Sequence, residues 1–219
     1  MPLQRRFAMK NSEEALAASK SKKQEIVTVR INLVGYWPEI WRVFQVPLAI
    51  SLPSLHDIIQ AVMGWTDSHL HEFATEHQRF ADPTFDDTGD NDALDSRTMA
   101  LSAFMRDPGD EIHYEYDFGD GWRHRLVATA FSQGTLAHAE CLAGERQCPP
   151  EDVGGVHGFR DFLEAIKDPQ NEEHQSWLTW CGGGFDPDEF STVDINAALK
   201  RRKISTRLLK ARPTRRGLL

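Results

Sequence analysis

The segment EIHYEYDFGDGWRHRLVATAF, residues 111–131, constrains this chain more than any other. Ile112, Tyr114, Tyr116 and Phe118 alternate with Glu111, His113, Glu115 and Asp117, and Trp122, His124, Leu126 and Ala128 alternate with Arg123, Arg125 and Val127. A period of two is the signature of strands with one apolar face. A three-residue loop, Gly119-Asp120-Gly121, predicts a hairpin with Phe118 opposite Trp122, Tyr116 opposite His124, Asp117 opposite Arg123 and Glu115 opposite Arg125. Three-residue loops with a left-handed glycine are common in hairpins, and a one-residue slip would exchange the two faces. Cross-strand charge pairs contribute roughly 0.2–1 kcal/mol each, so they set the register more than they add stability.

Other elements follow from the same kind of pattern. Residues 25–35 and 39–46 are β-branched and alternating and predict two strands joined by a turn at 36–38. Leu55, Ile58, Ile59, Val62 and Met63 have the spacing of one buried helical face, with Ser51 or Ser54 at its start and Gly64 where a left-handed cap belongs. Residues 69–80 predict two short strands, 82–98 an acidic turn-rich loop, and 101–105 a helical turn. Residues 132–157 predict a long loop holding Cys141 and Cys148. Helices are expected at 159–167, at 172–181 before Gly182-Gly183-Gly184, and from Ser191 or Thr192 through Leu199 into the tail. The expected fold is α+β, a mainly antiparallel sheet with a long hairpin and several packed helices in a single domain over 24–199. Residues 1–23 read as a flexible leader and 200–219 as a basic tail.

Charge divides the chain the same way. Of 25 Lys/Arg and 33 Asp/Glu, six bases and two acids fall in 1–23 and nine bases and no acid in 200–219, which leaves ten bases, 31 acids and a net −21 between 24 and 199. Such a body repels a phosphate backbone. The tail residues Arg201, Arg202, Lys203, Arg207, Lys210, Arg212, Arg215 and Arg216 are the place for contact with nucleic acid or an acidic surface; the plainer readings are a solvated extension or one folded back on the acidic body. Apolar runs are too short to span a membrane, and the first twenty residues lack a secretory apolar core, so a cytoplasmic protein is expected. Three cysteines argue against a disulfide framework. The six tryptophans are expected mostly in the core; several exposed in one cleft would instead line a peptide groove or stack on bases.

Three constellations bear chemistry. Cys141 and Cys148 are spaced too widely for a standard zinc knuckle, so a Zn site needs further ligands from His69, His71, His157 or Cys181; free buried thiols are the plainer reading. His69 and His71 share one face if they lie on a strand, as a two-histidine metal pair requires; otherwise they pack on aromatics and hydrogen-bond acids or backbone. Asp117, Asp120, His124, Glu151 and Asp152 form a possible polar cluster, in which Asp120 is first a turn former. No phosphate-loop, dinucleotide, zinc-protease or nucleophile-elbow motif occurs.

The segments PEIWRVFQVP, LHDIIQAVMGWTDSHLHEF, YEYDFGDGWRHRL, CLAGERQCPPEDVGG and GGFDPDEFS together resemble the plasmid pRiA4b ORF-3-like family, also called insertion-element passenger proteins. The resemblance runs from about Ile26 to Asn196 and implies an α+β domain carried on plasmids or near transposable elements, with no established reaction. Cys181 and the basic extension lie outside its pattern. Three functions compete. The favoured one is a non-enzymatic binding or accessory protein with a groove lined by aromatics, whose acidic body suits a basic protein partner such as a transposase. The second is a metal-dependent hydrolase, in which some of His69, His71, Asp117, His124, Cys141 and Cys148 converge around an open position. The third is nucleic-acid contact through the tail alone.

Overall fold

The structure is a computed structural model that describes residues 23–84 and 92–210. It contains strands β1 (Gln24–Leu33), β2 (Trp41–Pro47), β3 (His71–Ala74), β4 (Arg79–Ala81), β5 (Leu94–Asp95), β6 (Glu111–Tyr116), β7 (Trp122–Gly134) and β8 (Glu140–Glu145). Its helices are α1 (Leu52–Met63), α2 (Gly155–Lys167), α3 (His174–Trp180) and α4 (Thr192–Leu199). The strands form one eight-stranded sheet in the order β5-β4-β3-β6-β7-β1-β2-β8. Every pairing is antiparallel except β4 with β5. The α+β class with a mainly antiparallel sheet is the expected one.

One face of the sheet is the core. Val27, Val29, Ile31 and Leu33 of β1, Phe44 and Val46 of β2, Ile112, Tyr114 and Tyr116 of β6, and Trp122 and Leu126 of β7 are all buried. They share a cluster with Leu52, Leu55, Ile58, Ile59 and Val62 of α1. Each such side chain contributes roughly 1.5–3 kcal/mol by leaving water. The helix follows its predicted bounds: Ser51 is the N-cap, and Gly64, at φ +95°, closes the other end by donating to the Gln60 carbonyl.

The hairpin differs from expectation by two residues. Tyr116 lies opposite Trp122, Tyr114 opposite His124, Glu115 opposite Arg123 and His113 opposite Arg125. The loop has five residues, 117–121, because Asp117 leaves the strand. Asp117 adopts φ +56°. Its amide donates to the Leu70 carbonyl at 2.8 Å, and its Oδ1 accepts from the amides of Gly119 and Asp120. A shift of two preserves the faces but moves the ion pairs, so Arg123 meets Glu115 and Arg125 meets Glu111.

The stretch 132–157 is not a loop. Strand β7 runs on to Gly134, Cys141 stands on β8, and α2 begins at Gly155. Helix α4 ends at Leu199 instead of entering the tail. Beyond it, Ser54 Oγ donates to the Lys203 carbonyl, Ser51 N to the Ser205 carbonyl and Leu209 N to the Arg97 carbonyl, so residues 203–209 lie against the body. Arg212, Arg215 and Arg216, and residues 1–22 of the expected leader, lie outside the described residues. Only Trp65 and Trp122 of the six tryptophans are buried. Among the described residues no helix is long and apolar enough to cross a membrane.

Candidate functional site

Three loops meet at one end of the sheet: 64–70 after α1, the hairpin tip 117–121, and 146–154 before α2. Their backbones are tied together. Trp65 Nε1 donates to the Pro149 carbonyl at 2.9 Å. Gly154 N donates to Asp120 Oδ2 at 3.1 Å. Gly155, at φ +68°, lies so close to the hairpin tip that a Cβ there would stand 2.4 Å from the Asp120 carbonyl oxygen. Asp120 is thus the expected turn residue and also a brace.

Glu151 is held by three donors: the Thr66 amide, the Thr66 hydroxyl and the Tyr116 hydroxyl. Burial pushes its carboxyl up, but these hydrogen bonds outweigh burial and hold it below the usual range. The Tyr116 hydroxyl also accepts from Ser68 N and, chiefly through burial, resists ionisation.

The two histidines of the HLH sequence pack on neighbouring tyrosines of β6, His69 on Tyr116 and His71 on Tyr114, but join different sets of donor atoms and so do not form a two-histidine metal pair. His69 precedes β3, and its Nε2 lies 3.1 Å from Asp152 Oδ1 and 3.6 Å from Asp117 Oδ2. His71, the first residue of β3, stacks on His56 with ring centroids 3.5 Å apart and 7° between planes. Burial, reinforced by His56, takes the His71 pKa down to about 3. His56 Nε2 bonds Asp67 Oδ1 and its Nδ1 bonds the Tyr114 hydroxyl, both at 2.8 Å. Gln60 completes this network, donating to Tyr114 and accepting from Asp67 N. Two groups of three close donor atoms therefore stand among the described residues: His69, Asp117 and Asp152; and His56, Asp67 and His71.

Neither cysteine belongs to such a group, and neither do His157 and Cys181. Cys141 is buried on β8, with its Sγ toward the Ala143 carbonyl. Cys148 is buried near the Arg42 guanidinium, and burial pushes its thiol up to about 12. Both are free thiols without the zinc partners considered for them. His124 does not join the acidic cluster either. It is wholly buried between Trp65 and Tyr114, and no side chain bonds its ring nitrogens.

Beside the loops, across Trp65 and Glu151, runs a groove of about 550 Å³. Trp65, Trp180, Phe185 and Phe190 supply its aromatic lining, and Glu151, Glu189 and Asp194 its acids. Arg42 is its one cation among the described residues: the guanidinium donates to the carbonyls of Trp41, Val62, Glu145 and Arg146 and lies 4.9 Å from the centroid of the Phe190 ring, so one groove ring already holds a cation of the chain itself. Glu189 and Asp194 are exposed and have no ion-pair partner among the described residues.

Sequence reasoning named His69, Asp117, Glu151 and Asp152 but missed His56, Gln60, Thr66 and Asp67. A signal existed for two of them. His56 and Gln60 are polar, four apart, and interrupt the otherwise apolar side of α1.

A family model described as plasmid pRiA4b ORF-3-like protein matches residues 25–194. An uncharacterised protein of Sinorhizobium fredii (strain NBRC 101917 / NGR234), y4hQ, is 38% identical over 177 residues, which is 80% of this chain and 90% of that protein. The crystal structure of a protein of unknown function from Methanosarcina mazei Go1, MM3350, superposes with a TM-score of 0.70 at 31% identity, covering 78% of this chain and 97% of that one. The YDFGDGW, HLHEF and CPPEDVGG segments that meet at this site fall within the matched span, and the chain belongs to the plasmid pRiA4b ORF-3-like family.

Proposed function

We propose that this chain is a non-enzymatic accessory protein of a plasmid or mobile element that holds a basic segment of a protein partner in its acid-rimmed aromatic groove. The observation that carries this reading is the pairing of Glu189 and Asp194, exposed and without an ion-pair partner among the described residues, with the rings of Trp180 and Phe185. Aromatic faces attract ammonium and guanidinium groups, with about 0.5–2 kcal/mol per contact depending on desolvation. Carboxylates at the rim add attraction and reject acidic sequences. The net −21 of residues 24–199 favours the same class of partner. The plasmid description of the family agrees with an accessory role.

Calorimetric titration with Lys/Arg-rich and Glu-rich peptides of equal length tests this. The basic peptide is expected to bind and the acidic one not. Trp180→Ala, and Glu189→Gln combined with Asp194→Asn, should each weaken binding about tenfold, which corresponds to about 1.4 kcal/mol. Binding that ignores both variants, or a preference for the acidic peptide, defeats the proposal.

A further inference from the structure

His69 stands within ion-pair distance of both Asp117 and Asp152 yet makes a hydrogen bond to neither. The Nε2 of His69 is buried and makes no hydrogen bond, although carboxylate oxygens stand 3.1 and 3.6 Å away. A protonated nitrogen in an ion pair would aim its N–H along one of those lines. Here the nitrogen is in line with neither acid. Asp117 is held by its other oxygen: Oδ1 takes the amides of Gly119 and Asp120, so Oδ2 is fixed toward the histidine. The Asp117 side chain is 10% exposed and that of Asp152 70%, so one carboxylate is set in the protein and the other faces solvent.

We propose that these three side chains bind one divalent transition-metal ion, with the remaining coordination positions open on the Asp152 side. Bonds of about 2.0–2.2 Å to a shared ion place neighbouring donor atoms about 3.0–3.5 Å apart, whether octahedral or tetrahedral. The two histidine–carboxylate distances fall in or next to that range, and the three donor atoms lie within 4.8 Å of one another. One imidazole and two carboxylates suit Zn²⁺, Mn²⁺, Fe²⁺ or Co²⁺, whereas Mg²⁺ and Ca²⁺ prefer all-oxygen sets. The neighbouring group is not an equivalent site. Both nitrogens of His56 are already bonded, to Tyr114 and Asp67. This inference stands apart from the groove proposal, since it involves none of the groove variants.

Co²⁺ titration of tag-free, chelator-treated full-length protein, followed by visible d–d absorption, is the test. One equivalent is expected to bind, to be displaced by Zn²⁺, and to persist in millimolar Mg²⁺. His69→Gln and Asp152→Asn should each raise the Co²⁺ Kd at least tenfold. Asp67→Asn should leave it within twofold. Far-UV circular dichroism and thermal unfolding establish that the variants fold, and Zn²⁺ should raise the Tm of the parent but not of Asp152→Asn. Absence of binding, binding unaffected by His69→Gln and Asp152→Asn, loss of binding in Asp67→Asn, or equal displacement by Mg²⁺ would each overturn the inference.

Discussion

His124 sits under Trp65 and Tyr114 with no solvent exposure, and burial takes its pKa down to about 4 despite opposing contributions from the backbone of Tyr114 and Trp122. An unfolded histidine titrates near 6.5. Between the two values the unfolded chain binds a proton that the folded one refuses, so stability is complete above about pH 6.5 and falls as the pH drops toward 4. His71, with its pKa near 3, acts in the same direction over a wider window. Glu151, held low by hydrogen bonds, adds to the loss on the acid side. His124→Leu separates these contributions. Urea unfolding at pH 7 and pH 4.5 should show the variant losing about 2–3 kcal/mol less than the parent across that interval. Equal losses would mean that His124 is not held neutral. The same residue shows what the sequence conceals: alternation places His124 on the apolar face, but only packing reveals that no side chain partners the imidazole there.

Strand β8 has one strand neighbour, β2, and α4 covers its other side. Asn196 of α4 acts there as a substitute strand, its Oδ1 accepting from Cys141 N at 2.8 Å and its Nδ2 donating to the Cys141 carbonyl at 2.9 Å. Asn196→Ala removes both bonds and leaves two partly buried backbone groups short of partners. A loss of about 1–3 kcal/mol is expected in urea unfolding. Gly155→Ala acts on the neighbouring joint. It places a side chain at φ +68° and against the Asp120 carbonyl, so it should cost at least as much and loosen the hairpin tip. Unchanged midpoints for these two variants would remove the contacts from any structural role. Elements of this kind differ in how far they can be read in advance. Helix α1 is legible because five apolar residues keep one spacing and Gly64 marks its end. The faces of the β6–β7 hairpin are legible because alternation fixes parity, but parity cannot tell a shift of two from none, and the hydrogen bonds that draw Asp117 into the loop involve Leu70, far along the chain. Strand β8 escapes notice because CLAGE alternates weakly and its pairing is completed by a side chain 55 residues away. The candidate metal donors were legible one at a time. Their grouping depends on three loops meeting, which no local pattern encodes.

At the scale of the whole molecule, charge governs encounter more than affinity. Residues 24–199 carry ten basic and 31 acidic groups, and the only arginine lining the groove among the described residues is held by backbone carbonyls and the Phe190 ring. Residues 203–209 run against α1 and Arg97 rather than across the groove lining, so the cations of this stretch do not neutralise it. On the proposed function, a cationic partner would be drawn in by a long-range field, and its dwell time would depend on short contacts with Trp180 and Phe185. These components respond differently to salt, because screening shortens the field to about 8 Å near physiological ionic strength but hardly touches contacts between packed groups. Stopped-flow tryptophan fluorescence with a Lys/Arg-rich peptide should show the association rate falling about tenfold between 20 and 300 mM salt, with the dissociation rate changing less than twofold. Trp180→Ala should reverse the pattern, leaving association close to the parent and speeding dissociation. An association rate indifferent to salt would leave the acidic surplus without a part in partner capture, and the aromatic lining would then have to act as an apolar groove for an uncharged segment.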